Sequence, residues 1–266
     1  MYTEYWNLKC LPFENAPDPK FFYTSRGHNE AITRLLFCLQ TKKAFMLLTG
    51  DYGSGKTVVC ETVINTVSSN ELRTAFITNP RMDAVEMTRE IAYQLGEEIK
   101  STSRYDVTHG INNILDRHAA ANRHCAAIVD EAQLIMDKSI LEDLRLLLNH
   151  QKAGQFLLTL VLVGQTELND MIRLYPQLMQ RIGLKFHIPH LQLDEVANYM
   201  KHRLETAGAH LTLFDEQAIE EVKKLSKGNP REINALCDMA LLTASLSGAK
   251  QVTAAHVIDA GQERML

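Results

Sequence analysis

A chain of 266 residues with 45% hydrophobic and 23% charged side chains has the make-up of an ordinary globular protein, enough for one large core or two unequal ones. A formal net charge of −4 excludes a global basic footprint for constitutive binding to nucleic acid or anionic membranes, while leaving room for a local basic face. Five scattered cysteines without a C-x-x-C pair, an opening "MYTEYWNLKC" with no basic head and apolar core, and no apolar run near about 18 residues lead us to expect a cytoplasmic protein, or the cytoplasmic part of a longer one, with no transmembrane segment in these residues.

Residues 1 to 25 are rich in aromatics and proline and read as an irregular segment that packs on something else. A helix is expected from Asn29 to Gln40. "AFMLLTG" then gives a short continuous apolar run closed by glycine, the pattern of a buried parallel strand. Runs of the same kind recur as "LRTAFITNP", "CAAIVDEAQ", "FLLTLVLVGQ" and "LKFHIPHL", with helix-period segments around 83–98, 108–122 and 139–151. Five buried strands alternating with helices imply an α/β fold with a parallel sheet covered on both faces. After Pro189 the strand pattern stops. Four helical segments follow, opening on capping residues or closing near glycine, so the sequence divides into a core, 1–190, and an all-helical region, 191–266.

"GDYGSGKT", Gly50 to Thr57, matches G-x-x-x-x-G-K-[ST] between an expected strand and an expected helix. Glycines at this spacing let successive N–H groups turn inward on phosphate oxygens, and the following helix adds its positive end. Gly50, Asp51, Tyr52, Gly53, Ser54, Gly55, Lys56, Thr57 and Val58 are therefore expected to line a nucleotide. Lys56 would lie on the β- and γ-phosphates, and the Thr57 hydroxyl would ligate Mg²⁺. "AAIVDEAQ" ends an apolar strand with two acids. Asp130 is suited to hold Mg²⁺ through water and Glu131 to polarise an attacking water.

Gln165, after "LTLVLVG", can orient that water or touch the γ-phosphate. Two readings stand for Asn79 in "FITNP": a turn residue before Pro80, or a restraint on Glu131 until a partner binds. His187 and His190 in "HIPH" have no third ligand in the pattern and are read as packed or exposed side chains.

The order of "LPF", "PDPKFFY", "HNEA", "LLTGDYGSGKT", "AAIVDEAQL", "LVLVGQTEL", "QRIGLKFHIPHL" and "GNPREINALCDMALL" resembles the ExeA/GspA-type AAA+ ATPases over nearly the whole chain. These include the ATPase module of general secretion pathway protein A and related ATPases of pilus, exosortase and mobile-element loci. The resemblance implies a P-loop AAA+ core with a five-stranded parallel sheet and a C-terminal helical lid. It implies ATP and Mg²⁺ as cofactors, Gln165 as sensor 1, Arg231 as sensor 2 in the lid, and Arg181 as an arginine finger. A finger acts on a neighbouring subunit, so a homo-oligomer, ring or filament, is implied, with slow ATP hydrolysis by the isolated subunit. Tyr23 and His28 fall where members of the group enclose adenine; packing is the alternative for both.

Full-length secretion proteins of this group continue into a membrane span and a peptidoglycan-binding domain, and neither pattern falls within these 266 residues. The expectation is either a piece of such a protein or a single-domain relative. The function implied is an oligomeric ATPase that drives assembly of an envelope secretion or export complex. The alternatives are an ATP-dependent regulator that binds double-stranded DNA and recruits a transposase, and a nucleotide-gated scaffold in which hydrolysis is incidental.

Overall fold

The computed structural model describes residues 2–15, 18–67 and 70–263. The chain forms two compact units, one of residues 30–188 and a second made of the chain up to Asn29 together with the part from Pro189 onward.

The first unit is an α/β sandwich built on a five-stranded sheet of β1 (Phe45–Gly50), β2 (Leu72–Ile77), β3 (His124–Val129), β6 (Leu158–Gly164) and β7 (Ile182–Ile188). The strands run parallel in the order β2-β3-β6-β1-β7. The three central strands are buried at every position, as their unbroken apolar runs predict. The expectation of five buried strands fails at the margins. β7 alternates exposed and half-buried positions, and β2 is exposed at Arg73, because strand order makes these two the edges.

Helices α3 (Lys56–Thr66), α4 (Ala84–Gln94), α5 (Arg104–Ala120) and α6 (Lys138–Leu147) supply most of the crossover segments that parallel pairing requires. α4 opens on a full capping box, with Asp83 Oδ1 accepting from the Glu86 N–H and Glu86 Oε2 from the Asp83 N–H. α5 begins four residues before the expected 108. Its buried stripe starts only at Val107, so the polar first turn carries no periodicity. The sequence reading passed over a two-residue hairpin, β4 (Gln151–Lys152) with β5 (Gln155–Phe156), and the short helices α7 (Glu167–Arg173) and α8 (Pro176–Met179).

The second unit is helical: α1 (Tyr2–Tyr5), the start of α2 (Arg26–Gln40), α9 (Leu193–Thr206), α10 (Glu216–Ser226), α11 (Pro230–Leu246) and α12 (Ala254–Glu263). α2 starts at Arg26 rather than Asn29 because the Ser25 hydroxyl accepts the His28 N–H at 3.1 Å. The N-terminal segment was expected to be irregular and to stay with the core. It contains α1 and a 3-10 turn at Pro19–Phe21, and it packs within the helical unit. Tyr2, Trp6 and Phe13 share a cluster with Val196, Met200, Leu204 and Ile233, and the Trp6 indole donates to Leu241 O at 3.0 Å.

A buried arginine anchors the same segment. Arg203 is 7% exposed and donates to the carbonyls of Pro12 at 2.6 Å and Glu14 at 2.7 Å, with its guanidinium 4.8 Å from the Phe21 ring centroid. Its charge is met by carbonyl dipoles and aromatic faces rather than by a carboxylate.

Candidate nucleotide site

β1 delivers the chain at Gly50 into the loop 51–55, and α3 starts at Lys56. The turn depends on Gly53 and Gly55, each at φ 80°, a left-handed conformation that other side chains resist. Lys56 is 5% exposed, and its ammonium donates to the carbonyls of Gly50 and Asp51, both at 2.9 Å. The loop thus closes around its own cation. The first turn of α3 adds N–H groups that lack intrahelical acceptors.

Asp130 follows β3 and extends its ladder, its N–H donating to Ile77 O at 2.8 Å. Its carboxylate is 3% exposed and accepts from the Thr57 hydroxyl at 2.5 Å and from the Glu131 N–H at 2.8 Å. Burial pushes the carboxyl above its ordinary range, and those two hydrogen bonds and the Lys56 charge oppose the shift. A divalent ion would find Thr57 and Asp130 already aimed at one point. Among the described residues no group of three His, Cys, Asp or Glu could hold a metal. One hydroxyl and one buried carboxylate fit Mg²⁺ as it is held in nucleotide sites, where water and phosphate oxygens fill the rest of its shell.

The backbone at Glu131 is left-handed, φ 50° and ψ 34°, and its carboxylate accepts from the Gln133 side-chain amide at 2.5 Å. The same amide accepts the Gln165 N–H at 3.1 Å, linking the ends of β3 and β6. Thr166 donates to Asp51 at 3.2 Å, linking the end of β6 to the loop. Gln133 and Thr166 were not singled out from sequence; the only signal was their position just after "DE" and "GQ". Tyr52 in the loop is 61% exposed.

The phosphate loop, Asp130, Glu131 and Gln165 therefore gather at the carboxyl ends of the adjacent strands β3, β6 and β1. Asn79 is exposed, and its side chain accepts the Arg81 N–H at 3.3 Å, the local turn of the first reading. His187 is exposed and shares a 3.2 Å hydrogen bond with Thr49. Arg181 precedes β7 at the amino end of the sheet, where it donates to Leu148 O at 3.4 Å and Asn149 Oδ1 at 2.5 Å. The register pairs Phe45 with Ile182 and Gly50 with Ile188, so Arg181 stands at least five residue steps, about 17 Å, from the loop of its own chain.

Three expected site residues belong to the helical unit. His28 is buried, its Nδ1 3.2 Å from Tyr23 O, and the Tyr23 ring meets that of Tyr199 edge-on. Arg231 lies exposed in the first turn of α11, which Asn229 caps by accepting the Arg231 N–H at 3.0 Å.

The AAA domain family model matches residues 39–172, half of the chain, spanning the loop and the acidic pair. The chain belongs to that AAA family. It is 34% identical to general secretion pathway protein A of Aeromonas hydrophila, over 99% of this chain and 48% of that protein. The chain thus spans about half the length of that relative. Among solved structures the AAA fold here is similar to the Aeropyrum pernix ORC2 protein in its ADPNP-ADP complexes, with a TM-score of 0.67 and 20% identity over 95% of this chain and 71% of that one. Drosophila ORC bound to DNA gives a TM-score of 0.72 at 18% identity, over 96% and 64% of the two chains. At these identities the structural likeness carries the fold alone, an α/β AAA+ fold. No helix of the described residues is long and apolar enough to cross a membrane.

Proposed function

We propose that this AAA protein binds ATP with Mg²⁺ and hydrolyses it as an oligomer. The carrying observation is the set of Lys56 closed in by loop carbonyls, Thr57 bonded to buried Asp130, and Glu131 tied to the end of β6, all at the carboxyl end of the sheet. In this reading Lys56 leaves its carbonyls for the β- and γ-phosphates, and the N–H groups of the loop and α3 hold the remaining oxygens. Thr57 directly and Asp130 through water would hold Mg²⁺, which would supply positive charge against the phosphate oxygens. Glu131 takes a proton from the attacking water, and Gln165 orients that water. Tyr23 and His28 enclose adenine, and Arg231 acts from the lid.

The reading is incomplete within one chain, because Arg181 stands at the far end of the sheet from its own loop. A second copy supplies it. The test is complementation. Arg181→Ala keeps an intact loop and Glu131→Gln keeps an intact finger, so each is inactive alone while a mixture regains part of the hydrolysis rate. A mixture as inactive as its components would remove the trans role.

For the cellular task, similarity over 99% of the chain to general secretion pathway protein A supports assembly of an envelope secretion or export complex. Loss of secretion-complex assembly in a Glu131→Gln strain would support it. ATP-dependent binding to labelled duplex DNA, falling steeply with salt, would replace it with the mobile-element reading.

A further inference from the structure

The short 3-10 turn at Ala132–Leu134 follows directly on the left-handed Glu131 and returns the side chain of Gln133 to the acid two residues before it. Both ends of that amide are committed. Nε2 donates to Glu131 Oε2, and Oε1 accepts the N–H of Gln165. The partners fix its orientation, since a flipped amide would set NH₂ against N–H and oxygen against carboxylate. The strand end is shaped to admit it: a Cβ added to Gly164 would lie 2.3 Å from Gln133 Oε1. Glycine at 164 is what lets the amide reach the backbone of β6.

Strand order gives the contact a direction. Glu131 leaves β3 between β2, which ends toward Asn79, and β6, which ends at Gln165. β6 is the strand paired with β1, the bearer of the phosphate loop, with Gly164 opposite Thr49. A tie toward β6 is therefore a tie toward the phosphates, whereas Asn79 on the other side is occupied with its own turn.

We infer that Gln133 is the positioning residue of the water-activating carboxylate, holding Glu131 toward the carboxyl end of β6 and coupling it to the backbone of Gln165. The inference rests on the reading of Glu131 as the group that activates water. Gln133 touches neither water nor phosphate in this role. It acts through Glu131, so its removal costs nothing once Glu131 is disabled.

The experiment is a double-mutant cycle in single-turnover hydrolysis, with ATP affinity titrated in parallel, on the full chain. Gln133→Ala should slow hydrolysis about 10- to 100-fold and leave ATP affinity within about twofold, the mark of an interaction used only in the transition state. In a Glu131→Gln background the same change should produce no further loss. Gly164→Ala, which pushes on the amide from β6, should slow hydrolysis in the same way, and if it fails to fold the cycle decides alone. Gln133→Ala at the wild-type rate, equal losses in both backgrounds, or a loss confined to affinity would overturn the inference while leaving the ATPase reading in place. A wild-type chain that cleaves no ATP would overturn that reading and this inference together.

Discussion

The two ends of the central sheet bury polar groups in opposite ways. At the carboxyl end Asp130 is driven toward its neutral form by burial and by the neighbouring Glu131 charge, while the Thr57 hydroxyl, the Glu131 N–H and the Lys56 ammonium favour its charged form. At the amino end of the same strand, His124 is 7% exposed and meets only a hydroxyl, Thr159 Oγ1, at 2.7 Å. That hydroxyl donates its proton to Lys43 O, so His124 Nε2 is the donor in the pair. Burial lowers its pKa to about 4. The neighbours of Asp130 include groups that favour its charged form, whereas both influences on His124, its burial and the Lys42 charge, disfavour its charged form. The amino end also carries Arg181 on two neutral acceptors, Leu148 O and Asn149 Oδ1, and in the function proposed above this is the cation a second copy supplies.

The largest expected effect breaks this division of labour. Arg181→Ala should lower ATP hydrolysis by about 10³-fold or more with nucleotide affinity nearly intact, measured by steady-state turnover and nucleotide titration. Undiminished turnover would mean that the carboxyl end suffices by itself.

His124 comes next and should act on stability alone. An unfolded histidine takes a proton below about pH 6.5 and His124 in the fold only below about 4, so between these values the unfolded chain binds more protons and stability rises with pH. The difference amounts to about 3 kcal/mol at most, lost as pH falls through that window. Urea melts at pH 7 and pH 5 should show it, and His124→Gln should flatten the dependence without altering ATP turnover.

Asp130→Asn should give the converse result. Removing a buried charge leaves the melting temperature at pH 7 unchanged or slightly raised, while Mg²⁺-dependent hydrolysis falls about 10²-fold. A large loss of stability would place Asp130 with His124 as a packing residue. The smallest effect belongs to the helical unit, where Asn229→Ala removes the cap of α11 and should cost about 1 kcal/mol in denaturant melts.

What was legible in sequence follows from how local the cause is. β1, β3 and β6 could be read because burial on both faces makes every position apolar, and the phosphate loop because its spacing is enforced by backbone geometry. The half-exposed β7 looked like them, since only strand order, a long-range property, makes it an edge. Trp6 and Phe13 announced packing without naming a partner, because an aromatic outside any periodic run carries no direction. The hairpin at Gln151–Phe156 escaped because two-residue polar strands have no alternation to detect. Gln133 escaped for the most physical reason. Its meaning lies in a bond to a backbone N–H 32 residues onward and in the missing side chain of Gly164.

The anchoring of Arg203 sets a practical limit on how the protein can be cut. Pro12 and Glu14 supply two of the acceptors for the guanidinium of a side chain only 7% exposed. A version trimmed to begin near residue 20 would remove both acceptors from that cation inside the helical unit. The helical unit also takes residues from both ends of the chain, so a separately expressed lid would need its N-terminal strap fused back on.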